Sequence, residues 1–245
     1  MRILCVIPAR LGSTRLSQKP LRLIAGEPLI SLVARRILDF ELDVRVVVAT
    51  DDARVVEAVS GLPVETVLTA ASLGSGTERA AAVLERPEYE RHDLVLNVQG
   101  DEPLIERAAV CGAVDRVVVS GDDVGTAAAP LSPGDLRDPQ RVKVMVDGRG
   151  RAVEFFRTPE APACSRRQAV FQHLGVYAYR AAALRRWVAL PRTAEEERER
   201  LEQLRPLAHG FTIGVAVQAT PAAPAVDTEE DVREVESRLT VPTWG

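Results

Sequence analysis

Through its first half the chain alternates between short, continuous apolar runs and longer stretches with helical apolar spacing. Ile3 to Ile7, Val44 to Thr50, Val64 to Leu68 and Leu94 to Val98 read as strands; Leu29 to Phe40, Ala53 to Ser60 and about Thr77 to Glu85 read as helices. Strands that are apolar along their whole length are buried on both faces. The alternation therefore predicts a Rossmann-like α/β fold, a mostly parallel sheet with helices on both sides. Ligands of such sheets bind beyond the carboxyl ends of the strands. Arg10, Asp51 and Asp101 each follow a strand by a few residues, so their loops are expected to open on one edge.

After Val124 the pattern changes. Val142 to Val146, the turn Asp147-Gly148-Arg149-Gly150 and Ala152 to Phe156 predict a hairpin, because Asp-Gly between apolar runs makes a tight turn. Phe171 to Tyr179 reads as a further strand. A helix over Ala181 to Leu190, a charged helix over Ala194 to Leu207, a strand over Thr212 to Val217 and a closing helix over Glu229 to Leu239 follow. The Pro- and Ala-rich segments Thr158 to Ala163 and Thr220 to Ala225 are loops. A chain of 245 residues can form one α/β domain or two small ones. The expectation is a single domain, 1–245, in which 140–210 adds an antiparallel and helical subregion.

The net charge of −4, with acids and bases mixed along the chain, leaves no basic face of the kind duplex nucleic acid needs, so no nucleic-acid partner is expected. Cys5, Cys111 and Cys164 are odd in number and lack metal-ligand spacing, and Cys5 sits in an apolar strand as a small hydrophobe, which fits a reducing cytoplasm. No basic-then-apolar leader precedes the first strand, and no apolar run is long enough to span a bilayer, so membrane insertion is not expected. Of the 31 basic residues only Lys19 and Lys143 are lysine. In an arginine-rich chain, a lysine can mark a position where a planar guanidinium does not fit.

Six segments carry candidate chemistry. The loop after the first strand gathers Arg10, Arg15 and Lys19 with the hydroxyls of Ser13 and Thr14, a set that can hold several phosphates or can form a solvated basic loop. It matches neither the Walker pattern nor the G-x-G-x-x-G spacing. Asn97-Val98-Gln99-Gly100-Asp101-Glu102-Pro103 ends a strand with carboxylates placed either for a magnesium ion shared with phosphates or for capping the next helix. Asp227 can be an N-cap, with Glu230 three residues on as in a capping box, and a metal ligand as well. Ser75-Gly76-Thr77-Glu78-Arg79 opens a helix, which serves anion or base recognition, or capping alone. His173 and Tyr177, four residues apart, share one strand face, and Leu201 to Arg205 lies on the charged helix. A packed core histidine and a solvated helix face are the plain readings of these last two.

Taken in order, these segments resemble one family, the cytidylyltransferases that activate 3-deoxy-manno-octulosonate (Kdo). The matching motifs are I-P-A-R-x-x-S-T-R-L-x-x-K-P-L at Ile7 to Leu21, A-T-D-D at Ala49 to Asp52, S-G-T-E-R at Ser75 to Arg79 and N-V-Q-G-D-E-P at Asn97 to Pro103. H-L-G-V-Y-A-Y-R at His173 to Arg180, L-E-Q-L-R at Leu201 to Arg205 and V-D-T-x-E-D at Val226 to Asp231 complete the set. Related sugar-1-phosphate nucleotidyltransferases carry G-x-G-T-R where this chain has Ala9-Arg10 and Ser13-Thr14-Arg15.

The resemblance implies transfer of a cytidylyl group from CTP to Kdo, with magnesium, for lipopolysaccharide precursor synthesis in the cytoplasm by a homodimer. Arg10, Ser13, Thr14, Arg15 and Lys19 would hold the triphosphate, and Ser75, Gly76, Arg79 and Gln99 would complete the nucleotide site. Asp101 and Asp227 would bind Mg2+ and, with Lys19, form the catalytic set. Gln99, Arg157, His173, Tyr177, Glu202 and Gln203 would line the sugar pocket, with Arg157 facing the sugar's carboxylate. Lys143 matches a family lysine and is expected near the phosphates. The family usually has Pro-Gly where this chain has Ser17-Gln18, which leaves the loop less pre-set. Phe156 stands where a small residue often precedes the pocket arginine. The rivals are a cytidylyltransferase for another 2-keto-3-deoxy sugar acid, an amino-Kdo or a sialic acid, and a non-catalytic nucleotide-binding homologue.

Overall fold

The structure is a computed structural model that describes residues 1–12, 16–132, 134–158 and 169–240. The chain divides into two compact units, one formed by 1–107 and 223–245, the other by 108–222.

The first unit is built on strands β1 (Ile3–Ala9), β4 (Arg45–Thr50), β5 (Glu65–Leu68) and β6 (Leu94–Val98). A two-residue antiparallel pair, β2 (Leu23–Ile24) and β3 (Glu27–Pro28), lies between β1 and β4 in the chain. The large strands pair in parallel in the order β6, β1, β4, β5, with Val6 opposite both Val47 and Asn97. Their apolar content decides this. Leu4 to Ile7, Val47 to Ala49 and Val95 to Leu96 have no solvent exposure, which only a sheet covered on both faces allows. Helices α1 (Leu29–Leu38), α2 (Ala53–Ala58) and α3 (Gly76–Leu84) supply the crossovers. The strand order runs outward from β1 to β5 and then returns to the far side of β1. Right-handed crossovers then place α1 and α2 on one face and α3 on the other. The reversal between β1 and β6 is where an open α/β sheet binds ligands.

The second unit begins with α4 (Arg107–Val118) and is mostly antiparallel. Strand β10 (Ala169–Arg180) pairs with β7 (Val124–Ala129) and with β8 (Lys143–Val146), and β8 pairs with β9 (Ala152–Phe156), the predicted hairpin. Helix α5 (Ala181–Ala189) covers β10 with Trp187, which meets Tyr177 and Tyr179 edge-on at 6.2 and 5.4 Å between ring centroids. Strand β7 had no expectation attached. Its sequence, Val-Gly-Thr-Ala-Ala-Ala, is small because helix α4 lies almost on the backbone, and a Cβ on Gly125 would fall 1.8 Å from the Ala113 carbonyl oxygen.

The charged helix expected from Ala194 to Leu207 is two helices, α6 (Ala194–Glu199) and α7 (Leu204–Ala208). Arg200 ends the first in the left-handed conformation at φ 54°. A continuous helix would also have set Pro206 in its interior, where the ring removes one hydrogen bond and meets the preceding turn. Strand β11 (Ile213–Val217) then pairs in parallel with β7, and α8 (Glu229–Thr240) returns the chain to the first unit. Among the described residues no helix is long and apolar enough to cross a membrane.

Candidate active site

In the first unit the loops after β1 and β6, the start of α3 and the segment before α8 enclose a cavity of about 270 Å³. It is lined by Arg10, Lys19, Ser75, Gly76, Arg79, Gln99, Asp101 and Asp227. Eight residues expected in the nucleotide and metal site are thus brought together; Ser13, Thr14 and Arg15 lie outside the described residues. The close approach of the two central loops depends on Gly100, because a Cβ there would stand 2.7 Å from the Pro8 carbonyl oxygen.

At the centre, Lys19 Nζ donates to Asp101 Oδ2 at 2.6 Å and to Asp227 Oδ1 at 2.7 Å. Three segments far apart in sequence converge on one ammonium group, and the main chain adds a bond from Val226 N–H to the Asp101 carbonyl at 2.8 Å. Burial alone would lower the lysine's pKa, but the two carboxylates outweigh it and hold Lys19 above its ordinary value. The aspartates therefore converge on a point already occupied by positive charge.

Neither expected cap is quite as read. Asp101 does not cap the next helix, since its carboxylate meets Lys19. The box expected from Asp227 and Glu230 is made by Thr228 and Asp231: Asp231 N–H donates to Thr228 Oγ1 at 3.3 Å, and Asp231 Oδ2 accepts from Thr228 N–H at 2.7 Å. Helix α8 starts one residue later than that reading requires, which puts Thr228 at the cap and turns Asp227 toward Lys19. Ser75 does cap α3, accepting from Glu78 N–H at 3.1 Å, while Glu78 Oε2 takes the Gly74 N–H at 2.7 Å.

Arg79 is only 2 % exposed. Its Nη1 donates to Thr69 Oγ1, whereas the buried Nη2 has no hydrogen-bond partner and stands 3.7 Å from Asp51 Oδ2. Desolvation lowers its pKa, Asp51 opposes the change and Arg10 adds to it. A buried guanidinium nitrogen without an acceptor, on a residue lining a cavity, has a hydrogen bond left to give. Asp51 also accepts from Leu11 N–H at 3.4 Å and so ties the β1 and β4 loops together. It had received no role, although it stands in the Ala-Thr-Asp-Asp motif.

The second unit holds the other expected residues. Arg157 donates from Nε to the Glu199 carbonyl at 3.2 Å and from Nη1 to the Pro139 carbonyl at 3.1 Å. His173 packs edge-on against Phe155 at 5.3 Å and lies 5.2 Å from Tyr177, with a register shift of β10 between Leu174 and Tyr177. Thr126 gives its one hydroxyl proton to the Val176 carbonyl at 2.7 Å, so its oxygen accepts from His173 Nε2 at 2.9 Å and fixes the tautomer. Burial holds the imidazole near pKa 3, as a neutral group. Tyr177 is pushed well above its ordinary value, by burial first and then by Tyr179 and Glu202. Gln203, expected in the sugar pocket and exposed on the plain reading of a solvated helix face, is 4 % exposed, on the segment where the helix breaks. Nothing in the sequence marked Thr126, or the carbonyls of Pro139 and Glu199, as parts of this arrangement.

A parallel sheet whose strand-end cavity gathers cations, a paired carboxylate centre and a capped helix start at the reversal of strand order defines an α/β nucleotidyltransferase. More narrowly, the chain belongs to the cytidylyltransferase family, whose sequence model matches residues 4–214. It is 44% identical over 238 residues to a 3-deoxy-manno-octulosonate cytidylyltransferase of Gemmatimonas aurantiaca, covering 95% of this chain and 92% of the relative. It is 43% identical over 251 residues to the protein of that name from Methylococcus capsulatus, covering 96% and 95%. The solved structure of a CMP:2-keto-3-deoxy-manno-octonic acid synthetase complexed with CTP superposes with a TM-score of 0.86 at 34% identity, over 98% of both chains.

Proposed function

We propose that this protein transfers the cytidylyl group of CTP to the anomeric hydroxyl of 3-deoxy-manno-octulosonate, releasing pyrophosphate and forming CMP-Kdo. The observation that carries this reading is the convergence of Asp101 and Asp227 on Lys19 in a cavity with Arg79 and Gln99, in a chain 44% identical to a protein of that name.

The residues fit magnesium. Two carboxylates offer hard oxygen donors to a single point, and among the described residues no cluster of three ligating side chains exists, so phosphate oxygens would complete the shell. Asp101 and Asp227 would hold the Mg2+, which would supply charge neutralisation at the phosphate and a lowered pKa for the attacking hydroxyl. The chain's own groups do the rest. Lys19, already neutralising the carboxylates, is placed to turn to the triphosphate and stabilise charge passing to pyrophosphate. Arg10 and the buried Arg79 offer further donors to the nucleotide. Arg157 would take the sugar's carboxylate, and His173, Tyr177, Glu202 and Gln203 would hold the sugar. Positioning of two substrates in line can lower a barrier by on the order of 7 to 11 kcal/mol. His173 has no base role through Nε2, whose proton is given to Thr126. We read both units as one cytoplasmic transferase that works as a homodimer in lipopolysaccharide precursor synthesis.

Pyrophosphate release from CTP, measured across Kdo, an amino-substituted Kdo and a sialic acid, should be fastest with Kdo. Asp101→Asn and Asp227→Asn should each lower turnover by orders of magnitude while CTP binding survives in part. Normal turnover in either variant sinks the metal assignment, and no release with any acid sinks the enzyme.

A further inference from the structure

Lys143 is the second lysine of a chain whose other cations, Lys19 apart, are arginines, and it is fully buried. It stands on β8 opposite Phe156 of β9, one residue before Arg157. Its ammonium group donates to three main-chain carbonyls: those of Asp138, Arg141 (2.8 Å) and Arg157. Burial lowers its pKa, while Asp138 and Asp135 oppose the change. A buried charge held by carbonyl dipoles is a costly device where an apolar side chain would fill the same space. The tripod of an ammonium group meets three convergent carbonyls, and a planar guanidinium does not, which accounts for lysine here.

The three carbonyls belong to two pieces of chain that both hold Arg157. One is Arg157's own main chain. The other is the loop 138–141, whose Pro139 carbonyl accepts from Arg157 Nη1 at 3.1 Å. Lys143 thus fixes the main chain from which the arginine springs and flanks the carbonyl that aims its guanidinium.

We propose that Lys143 is a positioning residue for sugar-acid recognition, acting through Arg157 by pinning the 138–141 loop and the end of β9. This rests on the reading of Arg157 as the partner of the sugar's carboxylate. It also replaces the expected place of Lys143 beside the phosphates, since its three donors are spent on carbonyls.

The test is a double-variant cycle on the full-length enzyme, with KM for Kdo and for CTP measured separately. Lys143→Met should raise the KM for Kdo about tenfold or more and leave the KM for CTP within twofold. Combined with Arg157→Ala, it should add nothing to the loss that Arg157→Ala causes alone. An unchanged KM for Kdo, a parallel rise in the KM for CTP, or additive losses in the double variant would overturn the proposal. Should Lys143→Met not fold, Pro139→Gly decides, because it loosens the same loop at an exposed position. It should raise the KM for Kdo alone, and an unchanged value counts against the proposal. Arg157→Ala with a normal KM for Kdo would remove the underlying reading and this inference with it. A defective Arg157→Ala beside a normal Lys143→Met would overturn the inference only.

Discussion

Gln18 holds φ at 49°, the left-handed conformation that a glycine adopts freely. A residue with a Cβ is disfavoured there by about 1–2 kcal/mol, and glycine would return about 0.5–1 kcal/mol of chain entropy. Gln18→Gly should therefore stabilise the protein by up to about 1.5 kcal/mol, seen as a higher denaturation midpoint; a lower midpoint would show that the loop gains more from glutamine than its backbone loses. His173 makes a second prediction. Its folded pKa is depressed from 6.5 to about 3, so between these values the unfolded chain binds a proton that the folded one refuses. The stability His173 contributes is present above about pH 6.5 and is lost as pH falls toward 3. The stability difference between wild type and His173→Gln should shrink across that window, and a difference flat with pH would mean the ring titrates normally.

Helices of six and five residues, α6 and α7, have too few turns to persist alone. What joins them is a buried ion pair: Arg205 Nη2 and Nε meet Glu196 Oε1 and Oε2 at 2.5 and 2.7 Å. Burial would raise the Glu196 pKa, but Arg205 and the Thr193 N-cap region prevail and it is lowered. Removing one partner leaves the other charge buried, so Arg205→Met should cost about 3–5 kcal/mol in chemical denaturation. Because Gln203 lies between the two helices, the KM for Kdo should rise as well. A loss below about 1 kcal/mol would place the pair among surface salt bridges. The break at Arg200 was legible only in part. Pro206 is unfavourable inside a helix, a signal that the expected single helix left unused, while the run of glutamates and arginines before it has strong helical character and nothing local marks Arg200 as left-handed.

At the scale of the molecule, a homodimer of this 26.6 kDa chain should sediment at twice that mass at micromolar concentration, and a species at the monomer mass would contradict the pairing. The first unit was the more legible. Its strands are continuous apolar runs and its helices amphipathic, so local pattern and global burial agree, and the three strand-end loops met as expected. The second unit was less so. Four of the six residues of strand β7 are Gly or Ala, poor strand formers set by the contact of α4 rather than by propensity.

Periodicity alone determined the parallel α/β core and the edge at which ligands would bind, because side-chain burial on both faces of a strand leaves a direct trace in composition. Motifs alone determined which residues to look for. Tertiary structure decided their partners: Asp227 turned from cap to Lys19 ligand once Thr228 took the cap, Arg79 became a buried donor beside Asp51, and Lys143 became the anchor of the Arg157 loop. These outcomes depend on distances between segments up to about two hundred residues apart, 208 for Lys19 and Asp227. A linear sequence holds the chemistry of each group, while the Coulomb and hydrogen-bond energies that assign its partner depend on positions that exist only after folding.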